Sequence, residues 1–473
     1  MKITVLKFGG TSLEDAVAFE RVLNIVRAQS QERAVAVVVS AMSRVTDALL
    51  LSVERAAAGS AADASQLLEE HFERYLSVAR AHLSTEPQAA IEASIESARR
   101  EIAEFLQSIA AGSMPRPALQ DVIVSYGERL SATLLAAVLR EAGLAASYVD
   151  ARRCLVTTTE HGRAEPLQEE TGRCTRAEVE PLLKASIIPV LGGFIGASLD
   201  GATTTLGRGG SDYTAALIGA ALNATEIQIW TDVSGVLTAD PRLIKSARTV
   251  PAMSYTEAAE LAYFGAKVLH PKTIQPAVEQ HIPVRICNSR APQDAGTLVG
   301  SEAAASPYTV KAIAHKTNVT TVQITSARML GAYGFLNAIF DIFNRHRTVV
   351  DVVTTSEVSV SLSLDDTTTL AAIITELEQL GAVQVERNRA IVCVIGEGLK
   401  GTPGIAARIF SCLTDINISL ISQGASSINL TFIIEEAHLH EAVTRLHAAF
   451  FESEQEMVAA ATSNTFESRE PTR

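Results

Sequence analysis

The chain has 473 residues and carries 40 basic against 53 acidic side chains, which gives a net charge of −13. An acidic chain repels phosphate backbones and anionic lipid, so this charge argues against nucleic-acid and membrane-surface partners. Hydrophobic residues make up 47% and charged residues 20% of the sequence, which is typical of a globular protein rather than a disordered one. At about 150 residues per domain, the length predicts about three domains.

The cysteines and the N-terminal segment predict a cytoplasmic protein. The five cysteines are widely spaced and form no CxxC pair, so we expect reduced thiols and neither disulfides nor a zinc site. The first apolar run ends at Lys7 and is too short for the core of a signal peptide. No stretch approaches the roughly 20 apolar residues of a transmembrane helix.

The chain from position 1 to position 300 alternates short apolar runs with helical patterns. The runs predict strands at residues 3–6, 34–39, 122–124, 148–149, 187–191, 227–230 and 284–286. Helices are predicted at 13–28, capped by Thr11 to Asp15, at 213–222, and as an insertion from 47 to 111 broken near Gly59 and Pro87. This alternation predicts a doubly wound α/β domain, whose ligands bind at the carboxyl ends of the strands.

The first predicted strand runs into Lys7-Phe8-Gly9-Gly10-Thr11-Ser12 and then into a helix, an order that favours phosphate binding. Glycines let the backbone approach a phosphate closely, the N–H groups of a helix N-terminus point towards it, and Lys7 adds a positive charge. The structural alternative is a glycine-rich turn with a surface lysine.

A second glycine-rich loop, at residues 203–212, precedes the helix predicted at 213–222. Arg208 offers a planar fork suited to a carboxylate or a phosphate, and Ser211 and Asp212 are expected to cap the helix. Two such loops in one α/β domain, each with a cation, favour a site for a polyanion and a carboxylate over two structural turns.

Other polar residues follow predicted strands and are expected at the same edge of the sheet. Glu128 comes after the run at 122–124, Ser40 and Thr46 after the valine-rich strand, and Asp232 after the strand that ends at a tryptophan. Asp232 is suited to a ribose or an adenine. The alternatives are structural: Glu128 as a first-turn helix acid and Ser40 as a helix cap.

The sequence after an alanine-rich linker contains an internal repeat with a constant offset, in which Gly334 corresponds to Gly404 and Phe340 to Phe410. Each copy reads strand, glycine loop, helix, strand, strand, helix. This order predicts a split βαβ, ferredoxin-like unit. After about Met457 no apolar period remains, which predicts a disordered tail.

Five motifs are the most specific part of the sequence: KFGGTS at 7–12, TTTLGRGGSD at 203–212, WTDVSGV at 230–236, TADPR at 238–242 and FGAKVLHP at 264–271. Together they resemble the aspartate kinase family, most of all its monofunctional, lysine-sensitive branch. The resemblance runs from Met1 to about Phe451. It implies an α/β fold in which an amino-acid-kinase (carbamate-kinase-like) αβα sandwich is followed by two ferredoxin-like ACT domains. The implied limits are 1–300 for the catalytic domain, 301–316 for a linker, 317–386 and 387–456 for the ACT domains, and 457–473 for the tail.

The resemblance also implies roles for the matching residues, with ATP and Mg²⁺ as cofactors. The implied catalytic residues are Lys7, Arg208, Asp212 and Lys267. The implied aspartate-binding residues are Ser40, Thr46, Glu128, Arg163 and Arg208. The implied nucleotide-binding residues are Lys7, Gly9, Gly10, Ser211, Thr231, Asp232, Arg242 and Lys267. No side chain is assigned to a metal.

The implied activity is ATP-dependent phosphorylation of the β-carboxylate of L-aspartate to 4-phospho-L-aspartate. This is the first step towards lysine, threonine, methionine and diaminopimelate. The alternative within the family is an enzyme dedicated to a specialised product such as ectoine, with weakened feedback. An ionised β-carboxylate needs no general base, which agrees with the absence of an obvious catalytic histidine or cysteine.

The resemblance implies feedback through the ACT domains, with lysine or threonine as effector, and a homodimer or tetramer assembled through them. The implied regulatory residues are Met329, Gly334, Phe335, Leu336, Val350, Asp351, Thr355, Ser356 and Glu357. Asp351 and Glu357 suit an ammonium group. Ala332 and Val349 stand where hydroxyl residues are expected, which predicts altered lysine sensitivity.

Two other classes of protein remain as alternatives at this point. Residues 396–401 read GxGxxG after a predicted strand, which is the pattern of a dinucleotide-binding oxidoreductase. The acid expected about 20 residues later, Asp415, precedes the next strand instead of ending it. The second alternative is a catalytically silent amino-acid sensor on the same scaffold, against which the intact Lys7, Arg208, Asp212 and Lys267 argue.

Overall fold

The structure is a computed structural model that describes residues 2–265, 269, 271–301, 309–331 and 333–452. It divides into an N-terminal unit of residues 1–236, 251–255 and 268–303, and a C-terminal unit of residues 237–250, 256–267 and 304–473. Lys267, Ala332, the predicted tail at 457–473 and most of the alanine-rich linker lie outside the described residues.

The N-terminal unit is built on an eight-stranded sheet. Its strands in chain order, including those of a small second sheet, are β1 (Ile3–Phe8), β2 (Ala34–Val39), β3 (Ala146–Val149), β4 (Val156–Thr157), β5 (Ile188–Gly192), β6 (Ile195–Ser198), β7 (Thr203–Thr205), β8 (Glu226–Thr231), β9 (Ala252–Ser254), β10 (Val284–Asn288) and β11 (Thr297–Gly300). The large sheet has the order β3-β5-β2-β1-β8-β10-β11-β9, and β4-β6-β7 form the small one. Strands β3, β5, β2, β1, β8 and β10 are parallel neighbours, so their carboxyl ends share one edge.

Helices cover this sheet. The helices that precede the linker are α1 (Ala16–Ser30), α2 (Val45–Ala57), α3 (Ala61–Gln66), α4 (Glu69–His82), α5 (Thr85–Ala110), α6 (Arg116–Glu141), α7 (Gln168–Lys184), α8 (Gly210–Ala221), α9 (Tyr255–Tyr263) and α10 (Gln275–Glu279). Of these, α9 belongs from residue 256 onwards to the C-terminal unit. Side chains of β1 and β2 alternate between the two faces. Leu6, Phe8 and Val37 join a core with α1, α2, α4, α5 and α6, and α8 packs against β1 and β2.

The prediction of a strand at residues 122–124 is wrong, because these residues lie inside α6. A short apolar run does not by itself distinguish a buried strand from a buried helix. Here α6 is buried on most of its surface, so no polar stripe reveals the helical period. Among the described residues α6 alone is long and apolar enough to cross a membrane, yet 83% of its apolar window is buried inside the protein, as in a core helix.

Several helix limits differ from the sequence predictions. Helix α1 begins three residues later than predicted, and Asp15 caps it by accepting a hydrogen bond from the Ala18 amide. The helical insertion does break at Gly59, but Pro87 lies in the first turn of α5, where a missing amide N–H costs nothing. Helix α8 begins at Gly210, so neither Ser211 nor Asp212 caps it by a side-chain hydrogen bond.

The C-terminal unit contains the two predicted repeats. Its remaining elements in chain order are β12 (Ala312–Thr325), α11 (Phe335–Arg345), β13 (Val353–Thr355), β14 (Ser359–Leu364), α12 (Leu370–Leu377), β15 (Ala382–Ile395), α13 (Ile405–Ser411), β16 (Ile418–Gln423), β17 (Asn429–Glu435) and α14 (Leu439–His447). A π-helical turn, Ala448–Glu452, follows α14. The strands form one antiparallel sheet in the order β13-β14-β12-β15-β17-β16. Strand β15 begins and ends as many residues after β12 as Gly404 lies after Gly334, as the repeat predicts.

Each long central strand serves both repeats. Residues 320–325 of β12 pair with β14 of the first repeat, whereas Ala312–Lys316 of β12 pair with Ile391–Ile395 in the second half of β15. The fourth strand of the second repeat is therefore supplied by residues that precede the first repeat. These residues were expected to be linker, and the predicted domain limits remain predictions.

The alternative interpretation as a dinucleotide-binding oxidoreductase is wrong. The GxGxxG segment at residues 396–401 follows β15, whose neighbours β12 and β17 are both antiparallel to it. A dinucleotide-binding unit needs parallel strands joined by a crossover helix. The glycines instead start the helix region of the second repeat, with Gly398 in the left-handed conformation at φ = 70°.

Candidate active site

A cavity of about 510 Å³ lies within the N-terminal unit. The predicted site residues that line it are Lys7, Ser40, Thr46, Glu128, Arg208, Ser211 and Asp212. Lys7 and Ser40 lie at the carboxyl ends of β1 and β2, Thr46 lies in the first turn of α2 and Glu128 in α6, and Arg208, Ser211 and Asp212 lie in the loop before α8 and in its first turn. The cavity thus combines two cations, Lys7 and Arg208, with two acids that differ in their surroundings. Asp212 is paired with Lys7, whereas an oxygen of Glu128 has no hydrogen bond among the described residues.

The lysine of the first glycine loop is held by an acid of the second loop. Lys7 lies on the central strand β1, and its Nζ is 2.6 Å from Oδ1 of Asp212 in the first turn of α8. The side chains are only 11% and 18% exposed, so little water screens the pair. The ion pair fixes the ammonium group beside the N-terminal N–H groups of α8, which is an arrangement suited to an anion.

Glycines allow the backbone segments around this pair to approach one another. A Cβ on Gly10 would lie 3.0 Å from the carbonyl oxygen of Ala41, and one on Gly193 would lie 2.7 Å from Cα of Ser211. The amide of Gly9 donates to the carbonyl of Trp230 at 3.1 Å, which joins the ends of β1 and β8. Gly9 and Gly10 thus lie directly after the carboxyl end of β1, although neither lines the cavity.

Glu128 is a buried acid whose carboxyl group has no cationic partner within the described part of the chain. It is 3% exposed, and its Oε2 makes no hydrogen bond among the described residues. Burial raises the pKa of Glu128 to about 8, against the opposing effect of the hydrogen bond from the Ala41 amide. A buried, unpaired carboxyl group in a cavity is suited to receive a ligand cation. Gly127 makes this position possible, because a Cβ there would lie 2.8 Å from Cβ of Ala41.

The structure does not place every predicted residue on the cavity wall. Arg163 is 83% exposed and lies 3.7 Å from Glu160. Thr231 is the last residue of β8 and donates a hydrogen bond of 3.1 Å to the carboxylate of Asp232, which follows it. Arg242 belongs to a segment of the C-terminal unit, where its guanidinium binds Asp240 at 2.6 Å. Lys267 lies outside the described residues.

Sequence reasoning missed Asp121, a buried acid of α6 that lines the same cavity and is 2% exposed. Its carboxylate accepts hydrogen bonds from Thr205, Gly162 and His161. These partners lie 40 to 84 positions away in the sequence, so no local motif marks the residue. Only its position seven residues before Glu128, on one helix face, connects it with a predicted site residue.

The predicted regulatory residues lie on the first repeat. Met329, Phe335 and Val350 pack against its core, which supports a structural role for all three. Leu336 is 40% exposed, and Thr355, Ser356 and Glu357 are exposed. Gly334 starts α11 in the left-handed conformation at φ = 79°.

Asp351, the acid predicted to meet an effector ammonium, already binds an ammonium of the chain. Both of its carboxylate oxygens lie 3.0 Å from Nζ of Lys316, and Tyr263 donates its hydroxyl to it at 2.8 Å. Its side chain is 2% exposed.

Comparison with known proteins agrees with this fold. Residues 2–288 match the amino acid kinase family, and residues 392–450 match the ACT domain family. Lysine-sensitive aspartokinase 3 of Escherichia coli K12 is 38% identical over 464 residues, which cover 95% of this chain and 100% of the relative. Aspartokinase 1 of Arabidopsis thaliana chloroplasts is 38% identical over 95% of this chain and 80% of that protein.

Solved structures give the same result. E. coli aspartokinase III in complex with aspartate and ADP has a TM-score of 0.79 at 37% identity, and the match covers 95% of this chain and 100% of that chain. The same enzyme in complex with lysine and aspartate matches with the same TM-score of 0.79. The extent of these matches identifies the family: this chain belongs to the aspartate kinases.

Proposed function

We propose that this chain transfers the γ-phosphoryl group of ATP to the β-carboxylate of L-aspartate and so forms 4-phospho-L-aspartate. The observation that carries the proposal is one cavity in which the Lys7–Asp212 pair faces an unpaired buried acid, Glu128. A solved relative with the same fold is complexed with aspartate and ADP. The specialised ectoine-type enzyme is not favoured, because a relative matched over its whole length is named lysine-sensitive.

The chemistry requires positioning and charge cancellation rather than a base. The β-carboxylate of aspartate is ionised at neutral pH, so it attacks phosphorus without losing a proton. Two anions must approach in line, and Lys7 with the N–H groups of α8 supplies the compensating positive charge. Asp212 orients the ammonium of Lys7 through the 2.6 Å ion pair.

Aspartate recognition divides among the residues of the cavity. We assign the substrate ammonium to Glu128, because a buried carboxyl group without a partner gains most from an ion pair. We assign the α-carboxylate to Arg208, whose planar fork binds a carboxylate through two hydrogen bonds. Arg163 is assigned to the same carboxylate. Ser40, directly after β2, and Thr46, in the first turn of α2, are assigned to hydrogen bonds with the substrate at the cavity wall.

The nucleotide is assigned to the ends of β1 and β8. Gly9 and Gly10 provide a close backbone approach to the phosphates, and Thr231 and Asp232 suit the nucleoside. Arg242, Lys267 and Ser211 are assigned to the nucleotide by family resemblance.

Mg²⁺ is proposed to enter with the nucleotide. No cluster of three or more ligating side chains that would hold a metal ion occurs among the described residues. This fits an ion held mainly by phosphate oxygens, as Mg²⁺ commonly is. When bound, Mg²⁺ reduces the negative charge of the transferred phosphoryl group.

Feedback by lysine through the first repeat is the regulatory part of the proposal. A relative is named lysine-sensitive, and its solved structure contains lysine. The chemistry of Asp351 supports the idea, since this carboxylate, whose side chain is 2% exposed, already binds an ammonium group, that of Lys316. Threonine as effector lacks a side-chain ammonium for Asp351 to bind.

Self-association through the first repeat and a cytoplasmic location complete the proposal. Apolar side chains of the first repeat are exposed, among them Leu330 at 67% and Tyr333 at 103%. Exposed apolar patches of this kind are typical of protein interfaces. The five cysteines are free, as expected in a reducing compartment.

Replacement of Lys7 tests the proposed reaction. We expect Lys7→Ala to lower kcat by about 10²- to 10⁴-fold, because the charge that offsets the repulsion of two anions is lost. The KM for aspartate changes less, since Glu128 and Arg208 remain. The measurement is ADP release and aspartyl hydroxamate formation with aspartate, glutamate and N-acetylglutamate as acceptors.

The matched control is Lys2→Ala, which removes an exposed lysine five positions earlier. It should turn over at the wild-type rate. Near-normal kcat for Lys7→Ala, or a preference for glutamate or N-acetylglutamate over aspartate, would contradict the assignment.

A further inference from the structure

Two acids of α6 line the cavity, and they differ in whether the protein supplies hydrogen bonds to their carboxylate oxygens. Glu128 has an oxygen without a hydrogen bond among the described residues, whereas both oxygens of Asp121 accept hydrogen bonds. Asp121 is 2% exposed and has no part in the chemistry derived above. An acid whose acceptor sites are all used by the protein is suited to hold protein segments in place rather than to bind a ligand.

The donors to Asp121 come from two segments far apart in sequence. Oδ1 accepts from the hydroxyl of Thr205 at 2.7 Å and from the amide of Gly162 at 3.2 Å. Oδ2 accepts from the same amide at 3.1 Å and lies 2.8 Å from Nδ1 of His161. One carboxylate therefore joins the end of β7 to the loop that precedes α7.

These two segments carry the arginines assigned to aspartate. Arg163 directly follows Gly162, and Arg208 lies three residues after Thr205. The segments also touch without Asp121, since the Ala164 amide donates to the Thr205 carbonyl at 2.9 Å. The backbone contact fixes their separation, and the carboxylate of Asp121 fixes both to the helix that carries Glu128.

We propose that Asp121 is a positioning residue of the aspartate site, which holds the loops of Arg163 and Arg208 in register with Glu128 through Gly162 and Thr205. This inference rests on the proposed aspartate kinase activity. Substrate contacts depend steeply on geometry, so a released loop weakens aspartate binding more than it weakens the binding of ATP. Asp121 is not assigned to contact either substrate.

The clearest test is a pair of substitutions at Thr205, which is 2% exposed. Thr205→Val keeps the shape of the side chain but lacks the hydroxyl donor, and Thr205→Ser keeps the donor. We expect Val to raise the KM for aspartate about fivefold, because a hydrogen bond to a charged group is lost. We expect Ser to restore the KM to within about twofold of wild type, and the KM for ATP to stay unchanged in both variants.

Asp121→Asn gives the larger effect. Its amide group keeps one acceptor oxygen and replaces the other by an NH2 group, which meets the donors on one side of the carboxylate, so we expect the KM for aspartate to rise at least about tenfold, the equivalent of roughly 1.4 kcal/mol. We expect kcat to fall by less than about threefold. Asp150→Asn is the control for general destabilisation, since Asp150 is also partly buried but binds Arg152 instead.

Three results would overturn the proposal. One is a KM for aspartate within about twofold of wild type in both Asp121→Asn and Thr205→Val. Another is a Thr205→Ser variant as impaired as Thr205→Val. The third is an equal rise in the KM for aspartate in Asp150→Asn. If Asp121→Asn does not fold, the Thr205 pair decides alone. A folded wild-type chain that forms no aspartyl hydroxamate contradicts the proposed function instead, so the two failures are distinguishable.

Discussion

At the scale of single residues, surroundings rather than residue type decide what an acid does in this cavity. Glu128 and Asp121 lie seven positions apart on α6, and both are nearly inaccessible to water. Asp121 is surrounded by donors, whereas Glu128 receives little compensation and its pKa rises to about 8. The first is therefore suited to hold structure and the second to meet a cation.

The raised pKa of Glu128 predicts that aspartate binding depends on pH. Below about pH 8 the free enzyme carries a protonated Glu128, and an ion pair with the substrate ammonium requires loss of that proton. We expect kcat/KM for aspartate to rise with pH and to level off near pH 8. Glu128→Gln should raise the KM for aspartate and abolish this rise. Initial rates across roughly pH 6 to 9 measure both effects.

The same shift has a consequence for stability with a definite sign. Between the ordinary pKa of a glutamate and about 8, only the folded state keeps the proton of Glu128, so the unligated protein loses stability as pH rises. Glu128→Gln should gain melting temperature relative to wild type at pH 8 more than at pH 5. The exposed Glu104→Gln serves as control. A pH-independent kcat/KM, or a Gln variant with the wild-type profile, would contradict both expectations.

The residues of the cavity differ in how well sequence alone predicts them. Lys7 and Arg208 stand in glycine loops between a strand and a helix, a pattern with a local physical meaning, and both line the cavity. Asp121 has no such signal, because its importance arises from donors that the fold brings from residues 161–162 and 205. Glu128 lines the same cavity as Lys7 and Arg208, but it does so from α6 and not from the end of a strand, as was predicted.

At the scale of elements, that error has a simple physical origin. The residues from Val122 to Val124 are apolar because α6 is enclosed on most sides, and an enclosed helix lacks the polar stripe that marks its period. By contrast, β2 is a short continuous apolar run within a series of alternating elements, and it was predicted with its observed limits. The repeat offset predicted the folds of the second half, but not that β12 and β15 are shared between them.

Helix α9 shows how a helix that precedes both repeats in the sequence is held within the C-terminal unit. Successive turns of α9 bind different parts of the sheet region. Glu257 pairs with Lys311 at 2.9 Å, and Glu260 accepts from Asn429 at 2.8 Å. Tyr263 donates to Asp351 at 2.8 Å. The side chains of Glu257 and Lys311 are 0% and 2% exposed, so their pair is the most enclosed of the three.

Removal of one partner of this enclosed pair should be costly. Lys311→Met removes the ammonium that pairs with the buried carboxylate of Glu257, and we expect a loss of roughly 3–5 kcal/mol of stability. The double variant Lys311→Met/Glu257→Leu should lose less than the single variant, because no buried charge remains. Urea unfolding followed by circular dichroism gives the stability, and hydrogen–deuterium exchange of residues 255–263 reports on α9 directly.

Lys245→Met is the matched control, because Lys245 is an exposed lysine of the same unit. It should leave both the urea midpoint and the exchange of α9 unchanged. A single variant as stable as wild type, or a double variant less stable than Lys311→Met, would show that this ion pair does not anchor α9.

At the scale of the whole molecule, the two repeats share one backbone plan but differ in their surfaces. Phe340 of the first repeat is 38% exposed, whereas the corresponding Phe410 of the second repeat packs edge-on against Phe432 at 5.6 Å. Ala239 and Ile244, from the segment at 237–250, also cover the core of the second repeat. The core of the second repeat is thus covered by a further segment of its own chain, and the first repeat leaves apolar side chains such as Phe340 exposed.

This asymmetry predicts that self-association uses the first repeat and that lysine feedback depends on it. We expect Phe340→Glu to shift the chain to monomer, because a charge at an apolar interface is left unpaired, and to lose inhibition by lysine. Light scattering after size exclusion gives the mass, and initial rates across a lysine titration at subsaturating aspartate give the inhibition. Ile421→Glu, a substitution of an apolar residue of the second repeat that is 45% exposed, is the matched control.

The control should retain both the oligomer and the lysine response, since Ile421 lies on β16 of the second repeat and the proposed interface is the exposed face of the first. A Phe340→Glu variant that keeps the wild-type mass would exclude the exposed face of α11 from the interface. A monomeric variant that is still fully inhibited by lysine would separate feedback from assembly and would place the effector within one chain. Because Phe340 is more exposed than most of the second repeat's core, including the packed Phe410, we expect Phe340→Glu to lose both properties. We expect Ile421→Glu to keep both.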